Sequence, residues 1–208
     1  MAVQLAFYFD QTRCTGCKTC QIACKDKNNL PIGVRWRRVV EYSGGQWTTR
    51  GSDFVPEGVF SYYLSTSCMH CVNPPCAEVC AAGAFTKREE DGIVLLNNEE
   101  CLACRDCESV CPYGALHFNE DTGKMTKCDF CVDLLAKGER PACVDACPTR
   151  ALDYGPLDEL RTRYGEFVHP APLPDPSACV PALIIKPHAN AQTWEQATGE
   201  GMNPEERI

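Results

Sequence analysis

Sixteen of the seventeen cysteines in this sequence fall into four sets of four. They are Cys14, Cys17, Cys20 and Cys24; Cys68, Cys71, Cys76 and Cys80; Cys101, Cys104, Cys107 and Cys111; and Cys128, Cys131, Cys143 and Cys147. The first and third sets have the spacing C-x2-C-x2-C-x3-C, and Pro112 completes the third. That spacing wraps a cubane iron–sulfur cluster: three thiolates from one tight loop reach three corners. The fourth sits about one helical turn further on, where the chain has turned away, and reaches a neighbouring cluster. Two such runs therefore hold two clusters by exchanging their last ligands. The second set stretches one gap around Asn73-Pro74-Pro75, and the fourth carries an eleven-residue insertion between Cys131 and Cys143. C-x3-C closes all four sets, and that half calls for a short helix after each loop.

Other thiol chemistries fit less well. Disulfides are disfavoured by the odd count and by pairs two residues apart, which bridge only with strain. A zinc ribbon needs two C-x2-C knuckles well separated in sequence; three cysteines in a row at that spacing crowd one tetrahedral ion and leave a thiol spare. No C-x2-C-H haem attachment and no C-x3-C-x2-C radical motif occurs. His70, inside Cys68-Met69-His70-Cys71, reads as a loop or surface residue rather than a ligand. Cys179 reads as a plain buried or interface thiol.

The elements that must position these thiols recur with them. Val79-Cys80-Ala81-Ala82-Gly83-Ala84-Phe85, Val110-Cys111-Pro112-Tyr113-Gly114-Ala115-Leu116 and Ala146-Cys147-Pro148-Thr149-Arg150-Ala151-Leu152 are variants of one unit. After the first, Asp91-Gly92 marks a hairpin turn between two short strands. After the second, residues 116–125 again read as strand, turn, strand. The predicted class is α+β: two bacterial-ferredoxin-like modules of short helices and hairpins, each for two [4Fe–4S] clusters. One module comprises residues 1–30 and 112–169, with the first and fourth sets; the other comprises 68–111, with the second and third. Residues 31–67 form an aromatic β insertion with Trp36, Tyr42, Trp47, Phe54, Phe60, Tyr62 and Tyr63, and a turn at Tyr42-Ser43-Gly44-Gly45-Gln46. Its aromatics read as core or subunit contact. Residues 170–208 contain Pro170, Pro172, Pro174, Pro176, Pro181 and Pro187 and read as an extended docking tail. The apolar Ala182-Leu183-Ile184-Ile185 within it needs a surface to dock on.

Composition bounds the rest. A chain of 208 residues that is 44% hydrophobic can pack one or two domains. A net charge of -8 speaks against nucleic acid, whose phosphates need clustered Lys and Arg. No run of about 18 apolar residues exists, so no direct membrane span is expected. The first ten residues lack a basic stretch and a cleavage site, so no export signal is expected.

The sequence resembles the four-cluster iron–sulfur (beta) electron-transfer subunits of the dimethyl sulfoxide reductase and wider molybdopterin oxidoreductase family. The resemblance rests on Cys14-Thr15-Gly16-Cys17-Lys18-Thr19-Cys20, Ala23-Cys24-Lys25-Asp26, Lys127-Cys128-Asp129, Arg150-Ala151-Leu152-Asp153-Tyr154-Gly155-Pro156, Ala171-Pro172-Leu173-Pro174 and Ile185-Lys186-Pro187-His188-Ala189-Asn190. It covers nearly the whole chain. It implies four clusters, held by Cys14, Cys17, Cys20 and Cys147; by Cys24, Cys128, Cys131 and Cys143; by Cys68, Cys71, Cys76 and Cys111; and by Cys80, Cys101, Cys104 and Cys107. Nitrate reductase relatives carry tryptophan at the position of Cys104 and a three-iron cluster; cysteine here implies four cubanes. Ala81 replaces a proline of many relatives, which touches local rigidity and no ligand.

The resemblance also implies a non-catalytic subunit in anaerobic respiration. It would relay electrons between a quinol-oxidising membrane anchor and a molybdopterin catalytic subunit, and be membrane-associated only through these partners, on a side the sequence does not show. Four fully ligated clusters leave no open iron for substrate chemistry. Arg13, Lys18, Lys25, Arg105 and Lys127, beside ligands, would favour the reduced clusters. The alternative is a free polyferredoxin serving a hydrogenase or carbon monoxide dehydrogenase; the apolar tail favours the subunit.

Overall fold

The structure, a computed structural model, describes residues 3–166, 169–175 and 179–203. Its centre is a three-stranded sheet built from both ends of the chain. Strand β1 (Leu5–Asp10) lies between β8 (Leu152–Pro156), antiparallel, and β9 (Leu183–Lys186), parallel. The alternation of β1 explains its position. Phe7 and Phe9 point into the core that contains cysteines of the first, second and fourth sets. Ala6 and Tyr8 point the other way, against Leu157 and Leu160 of helix α6 (Leu157–Tyr164) and against Ala182 and Ile184. A strand buried on both faces belongs inside a sheet. Two ring pairs tie it down: Phe7 stacks on Phe130 with centroids 4.1 Å apart, and Tyr8 on Tyr164 at 3.6 Å.

The helices before α6 are short. Helix α1 (Thr19–Lys27) carries Cys20 and Cys24, α2 (Pro75–Glu78) Cys76, α3 (Asp106–Val110) Cys107 and α5 (Ala142–Asp145) Cys143; α4 (Val132–Leu135) follows Cys131 directly. The cysteine that begins each C-x3-C half thus lies on a helix in all four sets, as its spacing requires. Two hairpins separate the loops: β4 (Phe85–Lys87) with β5 (Val94–Leu96), and β6 (His117–Asn119) with β7 (Lys124–Thr126). Leu116 and Met125 pack with Cys76, Cys101 and Cys107 in a core of their own.

The insertion is one long hairpin, β2 (Arg38–Arg50) and β3 (Asp53–Thr66). Its root is buried through Val39, Val40, Tyr42, Tyr62 and Leu64, whereas Trp47 and Phe54 near its tip are exposed. The turn expected at Tyr42–Gln46 is not there. Those residues run through β2, with a bulge between Gly44 and Gln46, and the chain reverses beyond Arg50. A Cβ on Gly45 would meet the Gly58 backbone at 2.4 Å, so the glycines allow two strands to cross closely rather than one strand to turn back.

The proline-rich tail docks on its own chain. Strand β9 extends the central sheet, Ala171 and Leu173 are buried, and β10 (Glu200–Gly201) adds to β2. The surface that Ala182–Ile185 needs is thus β1 and its surroundings, so the apolar tail no longer separates a bound subunit from a free carrier. Pro176 and residues 204–208 lie outside the described residues.

Candidate cluster-binding site

The backbone curls the same way in every cysteine loop. The second residue after the first cysteine of each set has positive φ: Gly16 at 68°, His70 at 43°, Ala103 at 59° and Phe130 at 62°. A second such residue follows at Lys18, Arg105 and Cys131. Only Gly16 adopts this region without steric cost; each of the others gives up roughly 1 kcal/mol or more. Strain of this kind persists where the fold over-determines it, at functional sites. Its effect here is to turn N–H groups toward sulfur. Ala103 N donates to Cys101 Sγ at 3.4 Å, Phe130 N to Cys128 Sγ at 3.4 Å and Ala151 N to Cys147 Sγ at 3.2 Å. Successive inward N–H groups form an anion-binding nest.

The thiols gather into neighbourhoods across long sequence separations. Burial pushes Cys14 up to about 11; the Gly16 N–H opposes this, and Cys20, Cys147 and Cys17 add to the rise. Burial and then Cys143 push Cys24 to about 12, with Cys131 nearby. Cys128 is driven well up by burial, then by Cys24, Cys68 and Cys143. Burial and Cys68 raise Cys76 to about 12, with Cys111 also in reach. Burial, Cys101, Cys104 and Cys80 raise Cys107 to about 11. Most of these sulfurs are buried or half-buried; Cys17 and Cys104 are exposed, and none of the seventeen forms a disulfide.

Among the described residues no three His, Cys, Asp or Glu side chains converge as a single metal ion requires. The thiols surround volumes rather than points. One enclosed cavity is walled by Cys68, Cys71, Cys76 and Cys111, with Tyr113 and Cys179 beside them. A groove between β2, Ala171–Pro174 and Trp194 contains no thiol and lies apart from this chemistry. An all-sulfur donor set, inward N–H groups and a thiol-walled cavity fit iron–sulfur clusters, whose positive cores deprotonate the ligating thiols outright. When bound, such clusters supply one-electron transfer.

The comparisons agree with this geometry. Residues 59–157 match the model of the 4Fe-4S dicluster domain. The sequence is 48% identical to the B subunit of the anaerobic dimethyl sulfoxide reductase of Escherichia coli, over 99% of this protein and 100% of that one. It is 47% identical to the corresponding B subunit of Haemophilus influenzae, over 98% of each. Against the B subunit of the polysulfide reductase of Wolinella succinogenes it is 35% identical, over 90% of this protein and 96% of the other. The chain belongs to the iron–sulfur subunits of the dimethyl sulfoxide reductase family. It is an electron-transport protein of the 4Fe–4S type with a ferredoxin-type α+β fold.

Within that family, some side chains match their sequence reading and others depart from it. His70 is in a loop but not at the surface: it is 1% exposed, accepts the Val94 N–H on Nδ1 at 3.1 Å and sets its ring edge on Phe130. Cys179 is 4% exposed and sits against Cys71 and the Tyr113 hydroxyl. Of the five flanking cations, only Lys127 is buried. It donates to the carbonyls of Val94 and Cys128. Lys25 closes on the carbonyls of Leu30 and Pro31, and exposed Arg105 pairs with Glu108 at 2.7 Å. Sequence reasoning missed other cations. Lys87 donates to Cys71 O at 3.0 Å and Lys124 to Cys101 O at 2.7 Å. Arg37 is buried among the first and fourth sets. None of these residues adjoins a cysteine in sequence, and the one available signal was the Arg37-Arg38 pair ahead of the apolar Val39-Val40.

Proposed function

We propose that the chain carries four [4Fe–4S] clusters as an electron path between a molybdopterin-containing catalytic subunit and a membrane anchor that oxidises quinol. It performs no substrate chemistry of its own. The ligand groups are Cys14, Cys17, Cys20 and Cys147; Cys24, Cys128, Cys131 and Cys143; Cys68, Cys71, Cys76 and Cys111; and Cys80, Cys101, Cys104 and Cys107. The first two groups belong to the module of residues 1–30 and 112–169, the last two to that of 68–111. One observation carries this reading: each neighbourhood joins a thiol from one set to thiols of another. Cys147 lies by Cys14, Cys24 by Cys143, Cys111 by Cys76 and Cys80 by Cys107. Ligand exchange between runs is what paired clusters need.

The exposed Cys17 and Cys104 belong to different groups. They give the path two places near the surface where electrons can enter and leave. The names of the relatives support a partner of the sulfoxide- or polysulfide-reducing type, and membrane association follows from the anchor. No helix among the described residues is long and apolar enough to cross a membrane.

Anaerobic isolation tests the reading. Iron and acid-labile sulfide should each approach about sixteen atoms per chain, four for each cubane. The chain should co-purify with a pterin-containing subunit. A cluster-loaded chain that elutes alone at monomer size would favour the free polyferredoxin instead.

A further inference from the structure

Arg37 is 2% exposed. Its fork ends on neutral groups: Nη1 donates to Ser65 Oγ at 3.1 Å and Nη2 to Ser67 Oγ at 3.0 Å. The guanidinium lies 4.7 Å from the ring centroid of Phe7, which covers it on one side. Ser65 Oγ is in turn 3.5 Å from Cys20 Sγ. Because that oxygen accepts from Arg37, its own proton can be donated to the Cys20 sulfur. A buried cation needs an anion, and hydroxyls do not supply one. Cys20, Cys128 and Cys143 share the core of Phe7, and as cluster-bound thiolates they supply the anions beside the guanidinium. These thiols come from two of the neighbourhoods, so the guanidinium faces both.

We propose that Arg37 is a positioning residue for electron transfer, whose charge, passed on to Cys20 through Ser65, keeps the reduction potentials of the two facing clusters high. The proposal rests on the four-cluster reading. Each added electron makes a cluster more negative, and a fixed cation stabilises that state over the oxidised one. Phe7 and the surrounding core keep water from screening the effect. The cysteine-flanking cations Arg13 and Arg105 are exposed and screened. The pair of clusters facing Arg37 is set apart from the group of Cys80, Cys101, Cys104 and Cys107: Cys80, Cys101 and Cys107 pack in a core of their own, whereas Phe7, Cys20, Cys128 and Cys143 share another.

The test is a potentiometric titration of the full-length chain in its native complex, followed by electron paramagnetic resonance, with iron and sulfide measured on every sample. In Arg37→Gln, two of the four signals should need a more reducing poise. At fixed potential their reduced-to-oxidised ratio should fall at least tenfold, which is 59 mV for one electron. Arg37→Lys, which keeps the charge, should stay within threefold of wild type. Ser65→Ala should shift one signal in the same direction by a smaller factor. The signal from the Cys80, Cys101, Cys104 and Cys107 group should not move. Unmoved potentials in Arg37→Gln at full iron content overturn the proposal, and so does an equal shift of all four signals. If Arg37→Gln fails to assemble, Ser65→Ala decides: no shift in it overturns the proposal. Wild-type iron far below sixteen atoms would overturn the four-cluster reading itself, which a failure at Arg37 alone would leave standing.

Discussion

The ring of Tyr63 lies 2.3 Å from the position a Cβ on Gly16 would take. A strand of the insertion thus presses on the first cysteine loop at the one residue that has no side chain to be displaced.

Gly16→Ala should therefore be costly. The residue has φ +68°, worth roughly 1 kcal/mol for any non-glycine, and the overlap with a packed ring adds about 1–3 kcal/mol. The expected outcome is a lower melting temperature and incomplete iron loading. Tyr63→Ala in the same chain should recover part of the loss. Normal iron and melting in the single variant would count against the close approach.

Cys147→Ser should remove the same spectroscopic signal as Cys14→Ser, not the signal removed by Cys143→Ser. Cys147 lies with Cys14 in space although it lies near Cys143 in sequence. Each variant should lose or convert one cluster and about four irons at most. Paired losses that follow sequence proximity would refute the exchanged arrangement.

Cys179→Ala separates neighbour from ligand. The contact between Cys179 and Cys71 is the largest influence raising the Cys71 thiol, and Tyr113 also reaches Cys179. Iron content should stay at the wild-type value while the signal of the adjacent cluster changes shape, because a hydrogen bond to its sulfur is lost. A loss of iron comparable to that in Cys71→Ser would make Cys179 a ligand.

His117 should make stability fall in mild acid. Burial first, then Arg38, lower it from an ordinary 6.5 to about 4, and its Nε2 is buried without a partner. The folded state keeps it neutral, while the unfolded chain takes up a proton as pH drops below 6.5. The preference is complete above that value and erodes downward until about pH 4. Between pH 7 and 5.5 the loss is about 1 kcal/mol. His117→Gln should flatten that slope, read as the guanidinium midpoint of bleaching at the two pH values. An unchanged slope would show that His117 does not carry it.

Much of the local structure was legible because the cysteine spacing encodes it. Cys20, Cys76, Cys107 and Cys143 lie on helices, and the hairpins around Asp91-Gly92 and 119–123 form as the turn residues require. The central sheet was not legible, since Phe9 and Ile185 meet across almost the whole chain and nothing local marks their pairing. Gly44-Gly45 has the composition of a turn, and only the nearby Gly58 backbone reveals a bulge. Lys18 and Arg105 drew attention by standing next to ligands. The electrostatically committed cation, Arg37, lies thirteen positions beyond Cys24 and is brought in by tertiary packing.

The place of β1 between β8 and β9 has a consequence for biogenesis. Strand β1 has both of its edges paired only with residues 152–156 and 183–186, which are synthesised much later. Until then the nascent polypeptide presents an apolar ribbon with two open edges, a hazard for wrong association. The central sheet therefore closes only after residues 183–186 have been made, and its first strand stays unpaired through the synthesis of everything between.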